Sequence, residues 1–396
     1  MQIALGSLAE CRVGVGGPID AVLTTDRLHT IAEKPASIAF SQVRRLEYID
    51  GLRALAALWV LFHHMIETSQ PDIAMHLPVA GPILRSLFFG QFPVMVFLLL
   101  SGFCLFYPCV KKNVEAPALG LSYGAYLLRR AKRIVPPYFA AGALCIAMSF
   151  IPALQVGRWK IVGPIDASVV VSHLLLVHNL IPSHADKIDY PMWSIGLEWQ
   201  LYLLFPLLIW AYRRSNGPTV IAVTLALAAL IHGTYRMLPA EPAAVLRDGP
   251  LAYLEIFAAG MFAATLTIQR RRLLPAWLLA LIAIGGLGLV RLGSGNGLMH
   301  DLATCAAAFS VLLLATDAKG AVLRFLSATW LVRIGIFSYS LYLVHAPLIH
   351  LFWFALRPLQ LSPDLTFLLL VLCAPLVVAL AYGFHRAFER PFMRVR

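Results

Sequence analysis

Apolar runs of about twenty residues, separated by short polar or basic stretches, fill the chain from about residue 51 to residue 385. A helix rises about 1.5 Å per residue, so about twenty apolar residues cross the ~30 Å hydrocarbon layer of a bilayer. On that measure the predicted spans are 51–68, 86–108, 130–152, 193–212, 219–238, 251–268, 273–291, 299–316, 334–356 and 365–385, about ten in all. One further apolar run, 166–182, is shorter and ends in Asn179, Pro182, Ser183 and His184.

Composition points the same way. Of 396 residues, 60% are hydrophobic and 13% charged, and the mean hydropathy is +0.77. Soluble domains carry about 25% charged residues. The expected fold is therefore an all-α polytopic membrane protein.

Charge then sets the topology. The formal net charge is +12, and its basic clusters include Arg44–Arg45, Lys111–Lys112, Arg129–Arg133, Arg213–Arg214, Arg270–Arg272 and the C-terminal arginines. All of them fall on one side if 166–182 does not cross, as the excess of basic residues in cytoplasmic loops requires. That run is accordingly expected to be a half-helix or re-entrant piece buried against the bundle, with both termini cytoplasmic. The same excess is no nucleic-acid signal, because no Lys/Arg run is interleaved with aromatics. The six cysteines are scattered and form no CxxC or Cys/His pattern, so no metal site is expected. Residues 1–46 lack the apolar core of a signal peptide and are expected to form a poorly ordered cytoplasmic extension. Residues 47–396 are expected to be one membrane domain.

Several polar residues interrupt the apolar runs at functional depth. Arg53 and His64 are eleven positions apart, which puts them roughly 20° apart around a helix and about 16 Å apart along it. His63 is turned about 100° away. Ionisable groups inside a bilayer usually line a cavity or pathway, although a snorkelling arginine with an interfacial histidine pair gives the same pattern. Ser101-Gly102 suits close helix packing, and Ser101 can also face a substrate. Arg130 and Arg133 share a helix face, just before Pro136-Pro137. They read either as a positive-inside anchor or as a guanidinium pair for phosphate, with the prolines breaking the helix to open a cavity. Glu198 lies about five residues into a strongly apolar stretch, with Tyr202 one turn on. A carboxylate at that depth costs several kcal/mol unless paired or protonated. A Glu198–His64 pair is the expected solution, since a carboxylate commonly orients an imidazole base. Ser338, Tyr342 and His345 fall near one face of a later span, as a packed polar seam or as part of a substrate site. His173 and His178 are placed at the outer mouth. The remaining histidines carry no spacing signal.

Taken together, YIDGLRALAALWVLFHH, FLLLSGFCLFYP, RRAKRIVPPYF, MWSIGLEWQLYLLFPLL and FSYSLYLVHAPL resemble, in order, the motifs of the acyltransferase 3 family of membrane-bound acyltransferases. The resemblance covers the chain from about residue 47 onward. It implies a ten-helix fold that takes acyl-CoA from the cytoplasm, with acetyl as the expected acyl group. The acceptor is a hydroxyl on a sugar, glycan or other small molecule, often on the other side of the membrane. Arg53 and His64 match the family's Arg-x10-His motif, Arg130 and Arg133 its Arg-x-x-Arg motif, and Glu198 its glutamate after the Trp-Ser pair. Because the chain stops after its last helix, it resembles members without an appended SGNH domain. The expectation is that Arg130 and Arg133 hold CoA phosphates and that Arg53, counted with the catalytic residues, lines the donor path or stabilises negative charge. His64 acts as base with Glu198 orienting it, while Ser101, Tyr202, Tyr342 and His345 line the substrate. Direct transfer and a covalent intermediate both stay open. A bacterial inner membrane is the expected location. A transmembrane acyl carrier and a sugar or lipid-linked-sugar transporter are the alternatives.

Overall fold

The structure is a computed structural model that describes residues 34–71, 87, 89–154, 165–292 and 297–393, with side chains from residue 47 onward. Residues 1–33, most of the expected extension, lie outside the described residues, and residues 34–46 are helical. The chain divides into Met1–Arg44 and Arg45–Arg396, and all the chemistry below belongs to the second unit.

Among the described residues the secondary structure is entirely helical. In chain order the helices are α1 (Lys34–Ser69), α2 (Gln91–Lys112), α3 (Tyr123–Ser149), α4 (Ala167–Leu174), α5 (Trp193–Arg214), α6 (Gly217–Tyr235), α7 (Ala240–Arg247), α8 (Leu254–Gln269), α9 (Ala276–Leu292), α10 (Leu298–Thr316), α11 (Gly320–Leu326), α12 (Thr329–Ile336), α13 (Ser338–Leu356), α14 (Pro363–Phe384) and α15 (Arg390–Met393).

Nine of the ten predicted spans each fall on one of these helices and the tenth on two, and among the described residues eight helical segments are long and apolar enough to cross a bilayer. The other two fall short for different reasons. α9 has 17 residues. α3 has 27 residues, but Arg129, Arg130, Lys132 and Arg133 crowd its first half. The predicted span 334–356 is broken at Phe337, where α12 ends and α13 begins.

The short run also behaves differently from a span. α4 has eight residues, about 12 Å of helix, too little to cross. Asp166 caps its start by accepting from Val169 N–H at 2.9 Å and from the Ser168 hydroxyl at 2.6 Å. Those two bonds hold the Asp166 carboxyl below its usual range. His173 and His178 stack with ring centroids 4.0 Å apart and are buried against each other. Burial pushes His178 down to about 3, so this pair is neutral.

The core forms around α2 and α8. In α2 and in the span Glu241–Gln269 that contains α8, 72% and 78% of the apolar window is buried, against 28% in Pro363–Met393, which leaves α14 on the periphery. The crossing is close because both helices carry glycine at the contact. A Cβ on Gly102 would overlap the Phe257 carbonyl, and one on Gly260 the Leu99 carbonyl. Small residues at the crossing let the backbones meet where lipid supplies no hydrophobic drive. Phe103, Phe106, Phe205 and Phe257 fill the space around it and are fully buried.

Pro136 and Pro137 do not end α3, which runs through them. Prolines at these positions deprive the carbonyls one turn back of their donors. Beside them, the Tyr339 hydroxyl of α13 donates to the Ile134 carbonyl at 3.0 Å. The carbonyls freed are those of Lys132 and Arg133, whereas Ile134 keeps its ordinary partner position at Tyr138; the helix continues through the pair, so the expected break does not occur.

Candidate functional site: two chambers sharing a neck

Four helices, α1, α2, α5 and α13, present their polar residues to one interior space. α1 is fixed at its start by two backbone contacts. A Cβ on Gly51 would overlap the Leu326 carbonyl, and one on Gly335 would overlap the Asp50 carbonyl. Asp50 and Arg53, one turn apart, are then held with a 3.4 Å contact between carboxylate and guanidinium.

The first chamber encloses about 740 Å³ of empty space. Arg53, Arg130 and Arg133 line it with Ser101, Glu198 and Tyr202. Glu198 Oε1 accepts a bond from the Ser101 hydroxyl at 2.5 Å and one from the Tyr202 hydroxyl at 2.5 Å. Three guanidinium groups therefore face one carboxylate that is already bonded. Arg130 Nε is buried and has no partner, which leaves a charged donor without an acceptor. An anion such as phosphate satisfies such a group with charge-assisted bonds.

The second chamber is larger, about 1320 Å³. His63 and His64 form one wall, and Tyr190, Trp193, Tyr235 and Tyr253 supply aromatic surface. Opposite them, Arg247 binds Asp248 through two bonds of 2.8 and 2.7 Å, and His232 Nε2 lies 2.9 Å from Asp301. Val94 and Tyr342 line both chambers and form the neck between them. The Tyr342 hydroxyl is bonded to the Ser194 hydroxyl at 2.7 Å and to the Pro191 carbonyl at 3.2 Å.

The expected residues are gathered into two groups instead of one. Arg53, Arg130, Arg133, Ser101, Glu198 and Tyr202 all line the first chamber. His64 lines the second, where His345 stands with its ring 4.9 Å away, and Tyr342 stands between the two groups. The expected Glu198–His64 pair is not formed. His64 Nδ1 faces Glu67 Oε2 at 3.1 Å, while Glu198 is bonded to Ser101 and Tyr202. Glu67 is one turn along α1 from His64, whereas Glu198 lines the other chamber, where Ser101 and Tyr202 take its Oε1. His173 and His178 are buried against each other and are not part of the second chamber's wall.

Sequence reasoning passed over Glu67, although its signal was present as His63-His64-x-x-Glu67, one turn of a single helix. Tyr190, His232, Asp248 and Asp301 were missed because they come from separate elements with no common spacing.

The sequence profile of the acyltransferase 3 family, described as an acyltransferase domain, matches residues 46–386. The chain belongs to that family. It is also similar to the acyltransferase MdmB of Streptomyces mycarofaciens, with 30% identity over 173 residues, which is 42% of this chain and 40% of that protein. No solved structure matches the chain.

Proposed function

We propose that the protein moves an acyl group, acetyl in the first instance, from acyl-CoA in the arginine chamber to a hydroxyl of a carbohydrate or other hydroxylated acceptor in the histidine chamber. It works across a bacterial inner membrane, with the arginine chamber on the cytoplasmic side. One observation supports this reading: a chamber with three arginines, one of them with a buried, unpartnered Nε, shares Val94 and Tyr342 as wall with a chamber that holds an imidazole oriented by Glu67.

The separation suits the donor. From Arg53 to His64 is about 16 Å along α1. The pantetheine arm of CoA has twelve bonds from its phosphate oxygen to sulfur, about 15 Å when extended at ~1.25 Å per bond. Phosphates held by Arg130 and Arg133 therefore place the thioester near the neck, with Arg53, Ser101 and Tyr202 along the arm.

His64 supplies the base. Glu67 can only accept, so His64 Nδ1 carries the hydrogen and Nε2 keeps its lone pair. Nε2 takes the proton of the acceptor hydroxyl as its oxygen attacks the thioester carbonyl. The carbon–sulfur bond breaks, the thiolate leaves as CoA, and the proton passes from His64 to that thiolate. Direct transfer suits this layout, because Ser101 lines the arginine chamber while His64 lines the other.

Free thiol release from acyl-CoA in membranes, with and without acceptor, tests the reading. Acceptor-dependent thiol release together with acylated product is expected. Substrate movement without CoA consumption would make the protein a transporter. Thiol release only with a soluble partner present would make it an acyl carrier.

A further inference from the structure

His63, His64 and Glu67 form a compact donor set on one turn of α1. One ligand atom from each lies within 4.8 Å of the others. Glu67 Oε2 is 3.1 Å from His64 Nδ1 and 3.6 Å from His63 Nε2. Zinc with nitrogen and oxygen ligands at about 2.0–2.1 Å sets those ligands roughly 3.3 Å apart in a tetrahedral shell.

The hydrogen-bond accounting adds a second reason. His63 Nδ1 lies 3.0 Å from the Leu87 carbonyl, which can only accept. The hydrogen of a neutral His63 ring is therefore on Nδ1, and Nε2 turns a bare lone pair toward a carboxylate oxygen. That contact is repulsive unless a proton or a metal ion lies between the two atoms. An imidazole anchored through its other nitrogen to a backbone carbonyl is also the usual outer support of a metal-bound histidine. Beside this set, His345 is almost completely buried, its Nδ1 faces the Tyr342 carbonyl at 2.6 Å, and its Nε2 has no partner.

We propose that His63 Nε2, His64 Nδ1 and a Glu67 oxygen form a binding site for a divalent transition-metal ion of the zinc class. Imidazole ligands favour such an ion over calcium or magnesium, which take oxygen shells. The site has a consequence for transfer that rests on His64 being the base. A metal on Nδ1 displaces the hydrogen there, and the neutral ring then carries its hydrogen on Nε2. The lone pair that accepts the acceptor's proton is gone, so the metal-loaded protein is switched off.

Titration of the purified full-length protein in detergent with zinc chloride, read by calorimetry or a competing chelator dye, tests the site without any turnover. One equivalent is expected to bind. Affinity should fall by at least about tenfold in both His63→Gln and Glu67→Gln, which keep the side-chain size. His300→Gln, in the separate His300–Asp301 pair, should bind as the parent does. No zinc binding by the parent, or unchanged binding by both chamber variants, overturns the site. Loss of binding in His300→Gln overturns it as well. Zinc should also stop acyl transfer reversibly to a chelator. Binding at the site without inhibition would overturn the role of His64 as base and leave the metal site standing.

Discussion

The two chambers share four helices as walls and have opposite chemical deficits. In the arginine chamber donors are in excess: three guanidinium groups face one occupied carboxylate, and Arg130 Nε is buried without an acceptor. In the histidine chamber lone pairs are in excess: His63 Nε2 faces a carboxylate and His64 Nε2 is left bare by the bond of Nδ1 to Glu67, while behind His64 the buried His345 Nε2 has no partner. A surplus of donors calls for an anion, and a surplus of lone pairs calls for a hydroxyl proton or a cation. The difference teaches that this interior divides into two chambers with opposite bonding needs, which suits the two ligands of the proposed transfer. A single mixed site would have cancelled its charges internally, and the Glu198–His64 pair expected from sequence would have done so.

The sharpest way to break that comparison is at the base. In His64→Ala, kcat should fall by about 10²–10⁴, the usual weight of a general base. The dissociation constant for acyl-CoA should stay within about twofold, because the phosphate-binding arginines are untouched. Equal losses in both quantities would merge the chambers into one site. Next in size is the converse change. In Arg130→Ala with Arg133→Ala, acyl-CoA affinity should fall by about 10² or more, since each charge-assisted bond contributes about 1.5–3 kcal/mol. The rate at saturating donor should be nearly kept. An unchanged acyl-CoA KM would remove the phosphate role.

A pair of conservative variants separates the carboxylates. Glu67→Gln replaces an acceptor of the His64 Nδ1 hydrogen by a group that presents a donor as readily, and kcat should drop by about tenfold. Glu198→Gln leaves His64 as it is and disturbs the bonds to Ser101 and Tyr202. Its effect should fall on the donor KM, by a few-fold, at about 1 kcal/mol for a hydrogen bond weakened. If Glu198→Gln lowers kcat more than Glu67→Gln does, the assignment of the two carboxylates is reversed.

Much of this was legible before any coordinates. Hydrophobic length located all eight helical segments that are long and apolar enough to cross among the described residues, because in a bilayer backbone groups must be satisfied within the segment. The basic clusters told 166–182 apart from a span, and α4 is indeed too short to cross. Arg53 with Arg130 and Arg133 could be grouped because each sits at the basic end of its helix. Helical periodicity brought His64 and Arg53 to one stripe, but it reports angle around an axis and says nothing of which neighbour stands at that height. That is why Glu198 was paired with the wrong residue. Contacts between distant elements, such as His232 with Asp301 or Tyr339 with Ile134, left no spacing to read. A Pro-Pro pair reads as a break, yet α3 runs through Pro136-Pro137, because local sequence does not show how the surrounding helices hold the segment.

The smallest effect belongs to the neck, and it bears on whether the chambers communicate. Tyr342 lines both, and its hydroxyl ties α13 to Ser194 and Pro191 at the head of α5. Tyr342→Phe keeps the ring, so the passage keeps its width, but the tie is lost, at about 1 kcal/mol per bond. With the ring less firmly held, thioester and acceptor hydroxyl are both less well placed at the meeting point. Donor and acceptor KM values should then rise together by a few-fold, with stability lowered by up to about 2 kcal/mol for the two bonds lost. Phe97, whose ring lies 5.9 Å from that of Tyr342, lines only the arginine chamber. Truncating it to Leu should raise the donor KM alone. If Tyr342→Phe also moves only one of the two constants, the neck does not couple the chambers, and transfer through it has to be given up.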